Sequence, residues 1–347
     1  MGFCTTSLQR AAGLLLAVGV AACEQSAPAP FDAAGAAADA EAVHEVFATP
    51  LLASLDFAAV EIDRQTGGAG VDAAAASGSG SFRRFSLLLA DGGAAPTLSA
   101  GELPSGLAGR TFEFDAGTGA YVMSELSGAP ANGVRFQLYA MDGAGTPALP
   151  VSQVGYIDVI GEGPAAVQIR IADLTGVRLD YRVAASGADA ERRVQVAGFA
   201  IQGSSRAGFS FENTIELTGA SSGQMRLRQA LDLPGRQVEL DCASALLVRA
   251  GLAPELQLGL TLRGPNGEVD MTGAYELGGS GTLAVEVNGE RYAGVQLTGS
   301  EYAVAGASTE TLPESALVLL DHMIRTRDAG LEVFDRLVRP VEALIAP

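Results

Sequence analysis

Leu256-Gln257-Leu258-Gly259-Leu260-Thr261-Leu262-Arg263, then Gly264-Pro265-Asn266-Gly267, then Glu268-Val269-Asp270-Met271-Thr272 is the stretch that decides the fold. Apolar and polar side chains alternate with a period of two on both sides of a turn-forming break. That is the pattern of two strands with one wet face. Asn-Gly is suited to the positive backbone angles of a tight hairpin turn. With Asn266-Gly267 at the corner, Arg263 is expected opposite Asp270, and Leu258 opposite Tyr275.

The same arithmetic extends outward, because alternation runs from Phe82 to about Thr298. Asn288-Gly289 predicts Glu286 opposite Arg291 and Val285 opposite Tyr292. Leu174-Thr175-Gly176 predicts Arg170 opposite Asp180 and Ile171 opposite Leu179. A loop centred on Pro234-Gly235 sets Arg228 opposite Asp241, although Leu-Pro-Gly suits a longer connection. Phe112 and Phe114 face Tyr121 and Met123, and Val134, Phe136 and Leu138 alternate with Arg135, Gln137 and Tyr139. Glu212 and Glu216 share the outward parity of Arg226 and Arg228, so opposite charges meet on one face while aliphatic side chains meet on the other. Val295 and Leu297 fall on the polar face, and either a bulge at Gly294 or a strand buried on both sides explains them.

Helical spacing appears at both ends. Val43, Val46, Phe47, Leu51 and Leu55 recur at steps of three and four, with Pro50 breaking the run and Thr49 placed to cap a second helix. Thr311-Leu312-Pro313-Glu314 reads as a capping box. It is followed by Leu317, Leu320, Ile324, Leu331, Phe334, Val338, Val341 and Ile345, a stripe that only Arg327 breaks. Asp321 with Arg325, Glu332 with Arg336, and Asp335 with Arg339 stand at i,i+4. Gly330 weakens this helix midway, and Pro340 ends or kinks it.

The first residues carry a different signal. Ala11 to Ala22 is apolar but shorter than the about 20 residues of a membrane span, and it suits a signal-peptide core. It ends in Val20-Ala21-Ala22-Cys23, which resembles the lipobox of bacterial lipoproteins. That resemblance implies cleavage before Cys23, acylation of its thiol, and stable anchoring by several chains. Glu24, rather than Asp, follows the cysteine, which by the same resemblance favours the outer membrane facing the periplasm. A competing pattern, Met1-Gly2 with Thr6 and Cys4, fits myristoylation with palmitoylation but leaves the apolar run unexplained. The expected organisation is a signal peptide over 1–22, a flexible tether over 23–39, and one β-rich domain over 40–347. Residues 161–164 mark a possible boundary, and 66–81 is a low-complexity loop.

The chain of 347 residues carries a formal charge of −18, which disfavours a nucleic-acid partner and an anionic membrane surface around the body. Every one of the 22 basic residues is Arg, so Schiff-base chemistry and a P-loop lysine are excluded. With Cys4 removed and Cys23 acylated, Cys242 has no partner for a disulfide. It shares the parity of Val238 and Leu240 and reads as a buried hydrophobe.

The motifs of catalysis are weak. Gly219-Ala220-Ser221-Ser222-Gly223 matches the nucleophile-elbow pattern, but strands flank it on both sides, so it reads as a hairpin loop. The two histidines, His44 and His322, sit on the terminal helices without a triad geometry. No metal motif is present, and the acids Glu113, Glu125, Asp158 and Glu212 are scattered over wet faces. No cofactor, metal or catalytic role is expected, and the chain reads as a non-enzyme.

The fold class is therefore mainly β: a large curved antiparallel meander, closed, half-barrel or two-layer, packed with an N-terminal and a C-terminal helix. In outline it resembles the half-barrel of periplasmic lipoprotein carriers, which implies a lipid or other hydrophobic ligand in an apolar concavity. The expected walls are Leu227, Leu240, Leu258, Leu260, Val285 and Tyr292 on strands, with Leu320, Ile324 and Phe334 on the helix. Each of these also reads as ordinary core. The alternative is a structural or adaptor lipoprotein with a filled core.

Overall fold

Alternation of side chains becomes strand wherever the chain is described. A computed structural model describes residues 31–47, 50–65, 103–104, 106–163, 165–188, 190–219, 221–277, 279–298, 301–307 and 311–341. Residues 32–347 make one compact unit. The expected lipobox with Cys23, Thr49, the stretch 66–81, the strands expected from Phe82 to 102, and Ile345 lie outside the described residues.

Two helices come first, α1 (Ala33–Glu45) and α2 (Pro50–Gln65). Then come β1 (Arg110–Asp115), β2 (Ala120–Ser124), β3 (Gly133–Tyr139), β4 (Gln153–Gly161) and β5 (Ala166–Asp173). The long central strands are β6 (Gly176–Ala188), β7 (Glu191–Gln202), β8 (Ser205–Gly219), β9 (Ser222–Leu233) and β10 (Val238–Val248). The last are β11 (Glu255–Gly264), β12 (Gly267–Glu276), β13 (Ser280–Val287), β14 (Glu290–Thr298) and β15 (Glu301–Gly306). Helix α3 (Glu314–Val338) and a 3-10 turn, Arg339–Val341, follow.

From β3 to β15 each strand pairs antiparallel with its chain neighbour. At the other end β1 lies between β2 and β3 and runs parallel to β3. The fifteen strands form one open sheet, with β2 and β15 at its two ends. Helices laid along one face bury what a second layer of strands would otherwise cover. Strands β4 and β5 pair across the expected boundary at 161–164, so the sheet has no break there.

The register tests the turn chemistry residue by residue. Arg170 meets Asp180 and Ile171 meets Leu179, as expected, although the loop itself is two residues and a bulge after Ile171 restores the count. Glu286 meets Arg291, with Asn288 and Gly289 both at positive φ. Beyond that pair a bulge sets Val285 opposite Ala293 instead of Tyr292. The expected bulge thus exists, but at Tyr292 rather than Gly294, and it turns Val295 and Leu297 inward, where both are buried.

Two registers differ by two residues. Arg263 lies opposite Glu268 and Leu258 opposite Gly273, because Pro265 and Asn266, not Asn266 and Gly267, form the corner. Pro265 holds φ near −65°, and Gly267 alone there has positive φ. Likewise Arg228 lies opposite Ala243, and Asp241 opposite Ala230, since four residues from Pro234 to Gln237 connect the strands. A shift of two preserves the face each side chain occupies.

The dry face is continuous. Row by row, Tyr181, Phe209, Leu231, Leu240, Leu262 and Val269 point to the helices, as do Val196, Phe211, Cys242, Leu260, Met271 and Val285. Helix α2 packs on β3 and β4, Leu55 and Ile62 of this helix are fully buried, and Phe57 meets Phe114 edge to face. Helix α1 begins at Ala33 under an Asp32 cap, inside the stretch 23–39 expected as tether. Its small buried face, Ala36, Ala37 and Ala40, lets it lie close against α3.

Helix α3 departs from its sequence pattern in three places. Pro313, not Thr311, occupies the N-cap, and no side chain caps that end. Leu317 is exposed, while Ala316, Leu319 and Met323 join Leu320, Ile324, Phe334 and Val338 in the core. Arg336 turns from Glu332 to a bidentate pair with Asp56 of α2. Gly330 marks a close approach to the sheet, for a Cβ there would overlap Gln229 Oε1.

Candidate functional site

The nine apolar positions expected to wall a ligand site lie against the helix-covered face, and eight are buried side chains of its core. Leu227, Leu240, Leu258, Leu260 and Val285 pack from the sheet; Leu320, Ile324 and Phe334 pack from α3. Tyr292 is half-buried in the β14 bulge. The gap described on this face, beside Phe47, Leu52 and Leu179, holds about 20 Å³, less than one water's share of liquid.

The larger concavity lies on the opposite face. Two registered rows of outward side chains build it. One runs Arg182, Ala197, Ser210, Ala230, Asp241, Thr261 across β6 to β11. The other runs Gln195, Glu212, Arg228, Ala243, Gly259 across β7 to β11. Ala197, Ser210, Ala230, Ala243 and Gly259 are small, so the longer neighbours stand around a trough of about 710 Å³. That volume falls within the about 300–1,000 Å³ of small-molecule sites. Beneath it, the side chains of Val196, Phe211, Gln229 and Cys242 turn to the helices and are buried.

Most charges around the trough are committed. Arg182 donates to Glu162 at 2.7 Å, Gln195 to Glu212 at 2.7 Å, and Arg263 to Asp241 at 2.8 Å. Arg263 also reaches Glu268 at 2.8 Å, and together these contacts raise its already high pKa. Arg228, directly across from Glu212 in the β8–β9 register, has no hydrogen bond or ion pair among the described residues. It is exposed, so water solvates it in the free protein. Further out the expected ladder is present, with Arg170 to Asp180 at 3.2 Å and Arg226 to Glu216 at 2.9 Å. Such exposed pairs contribute about 0–1 kcal/mol each.

The other chemical candidates are drawn into structural roles. Residues Gly219 and Ser222 close the β8–β9 hairpin, and the Ser222 hydroxyl accepts from the Ala250 N–H. His44 and His322, far apart in the chain, meet with ring centroids 5.9 Å apart. His44 Nε2 lies 2.9 Å from the His322 carbonyl oxygen and 2.8 Å from Thr326 Oγ1, which joins α1 to α3. Asp158 is held by both arms of Arg135 at 2.7 and 2.8 Å, and that pair raises the Arg135 pKa. Four strand spacings, about 19 Å, separate β4 with Asp158 from β8 with Glu212, too far for a glycosidase pair. Among the described residues no three His, Cys, Asp or Glu side chains gather as metal ligands, and no helix is long and apolar enough to cross a membrane.

Sequence reading did not find the trough. Its floor residues belong to five strands, and their smallness matters only once register brings them together. A usable signal exists in retrospect: small outward residues recur at Ala197, Ser210, Ala230, Ala243 and Gly259, one on each successive strand. Compared with family models, curated proteins and solved structures, the chain matches none.

Proposed function

We propose that this chain is a lipid-anchored, non-enzymatic protein of the bacterial cell envelope that holds an amphipathic anion in the β6–β11 trough. The lipobox at Val20–Cys23 supports the anchor, and Glu24 supports the outer membrane. One observation carries the ligand class: Arg228, without a hydrogen bond or ion pair among the described residues, lines the trough with Ala197, Ala230, Ala243 and Gly259. The floor suits an aliphatic or flat body, and the guanidinium suits a carboxylate or phosphate head. The hydrophobic ligand expected from the sequence is kept, and its place moves to the other face of the sheet.

Isothermal titration with dodecanoate, and with dodecanol as the uncharged control, tests this reading. Dodecanoate binds at one site and dodecanol more weakly. Arg228→Gln weakens dodecanoate by about 10- to 100-fold, the equivalent of a charged hydrogen bond of about 1.5–3 kcal/mol. Equal binding of both probes, or no change in the variant, refutes it.

A second reading, a structural or adaptor lipoprotein acting through its surface, is favoured by the filling of the helix-covered face. Recovery of one discrete partner from cross-linked envelopes, with no amphiphile bound, supports that reading instead.

A further inference from the structure

We infer that the β6–β11 trough takes a zwitterionic head, a phosphodiester bridged to a primary ammonium, with the phosphate on Arg228 and the ammonium on Glu212. The inference rests on the proposed amphiphile site and narrows its ligand.

Four charged side chains line the trough: Arg182, Glu212, Arg228 and Asp241. Two of them are balanced by residues outside the lining, Arg182 by Glu162 and Asp241 by Arg263. The other two are not. Glu212 and Arg228 stand directly across from each other in the β8–β9 register, yet neither makes an ion pair among the described residues. The neighbouring strand supplies the reason. Gln195 of β7 faces Glu212 from the other side and donates to its Oε2 at 2.7 Å, which holds the carboxylate toward β7 and away from β9. An amide orients the carboxylate but brings no charge to neutralise it.

Opposite charges thus face one concavity, apart from each other and each open to a partner. A direct pair between exposed side chains adds little stability, so a ligand enters between them without breaking a strong contact. A simple anion on Arg228 meets the Glu212 carboxylate as an uncompensated like charge. An ammonium joined to that anion makes the same carboxylate attractive. Spacing selects the bridge. Neighbouring strands lie about 4.8 Å apart, a separation that an ethanolamine link between phosphate and ammonium matches and that the shorter link of an α-amino acid does not. The ammonium is primary because Glu212 accepts hydrogen bonds, which a quaternary nitrogen cannot donate. An aromatic face for a quaternary group is also missing from the lining, since the ring of Phe211 is buried on the helix side.

Isothermal titration of the full chain compares three probes below any micelle-forming concentration: dodecyl phosphoethanolamine, dodecyl ethyl phosphate without the ammonium, and glycerophosphoethanolamine without the chain. Dodecyl phosphoethanolamine binds about 10-fold more tightly than dodecyl ethyl phosphate, as one charged hydrogen bond supplies. Glu212→Gln reverses the order: it weakens dodecyl phosphoethanolamine and tightens dodecyl ethyl phosphate, and the second probe shows that the variant is folded. Equal affinity of the two amphiphiles for the parent chain, or an unchanged preference in Glu212→Gln, overturns the zwitterion and leaves the anion site standing. Binding of neither amphiphile refutes the trough reading, and this inference falls with it. Glycerophosphoethanolamine bound as tightly as the dodecyl probe keeps the zwitterion and overturns the amphiphile, making a soluble head the ligand.

Discussion

Replacing Phe334 by Ala separates a filled helix-covered face from a hollow one. Phe334 is 2 % exposed, and its ring centroid lies 6.4 Å from that of Phe211 on β8. In a filled core, truncation removes the transfer free energy of the ring and leaves a cavity, together about 3–5 kcal/mol. A ring lining a hollow already faces solvent on one side and loses about 1 kcal/mol or less. Urea unfolding followed by far-ultraviolet circular dichroism measures the difference, read from the midpoint at unchanged slope. Leu252→Ala, at an exposed loop, is the control and stays within about 0.5 kcal/mol of the parent. A Phe334→Ala loss below about 1 kcal/mol with the slope unchanged refutes the filled face and returns the ligand site to the helices.

Two further outcomes follow from single contacts. The buried Tyr181 hydroxyl donates to the Leu337 carbonyl at 3.0 Å, satisfying an acceptor in the last turn of α3. Burial raises the Tyr181 pKa, so the phenol stays protonated as a donor, and Tyr181→Phe costs about 1–3 kcal/mol in the same urea assay. Unchanged stability and unchanged amide exchange around Leu337 would remove that role. At the β5–β6 hairpin, partial burial works against the Asp173 charge, but bonds from the Thr175 hydroxyl, Arg178 and the Thr175 N–H outweigh it and hold its pKa at about 2. Because the folded value lies below the unfolded one, the stabilisation is complete above about pH 4 and fades as pH falls through about 2. Carboxyl resonances followed by nuclear magnetic resonance check this, and an Asp173 midpoint near 4 contradicts it.

Local chemistry carried much of the architecture. Period-two alternation identified the β body, and the terminal stripes identified α2 and most of α3, because a strand or helix face is set by spacing along the chain. Asn288-Gly289 set its register, and Gly176 after Leu174-Thr175 the other, because positive-φ turn residues act within a few bonds. Pro265 and Pro234 moved two other registers by two residues, and the faces survived because side chains alternate with that same period. Where one residue was inserted instead, at Tyr292, the faces changed over, and that is why Val295 and Leu297 looked misplaced.

What the sequence by itself determined is the partition of side chains between a wet and a dry face, and which residues form each of the two terminal stripes. Both depend on near neighbours in the chain. Tertiary structure alone decided which face holds the concavity, since a trough requires five small residues on five strands to fall side by side. It also decided that the two histidines meet across α1 and α3, and that Gly330 lies against Gln229 of the sheet. Those facts depend on distances between residues tens to hundreds of positions apart, which no local periodicity encodes.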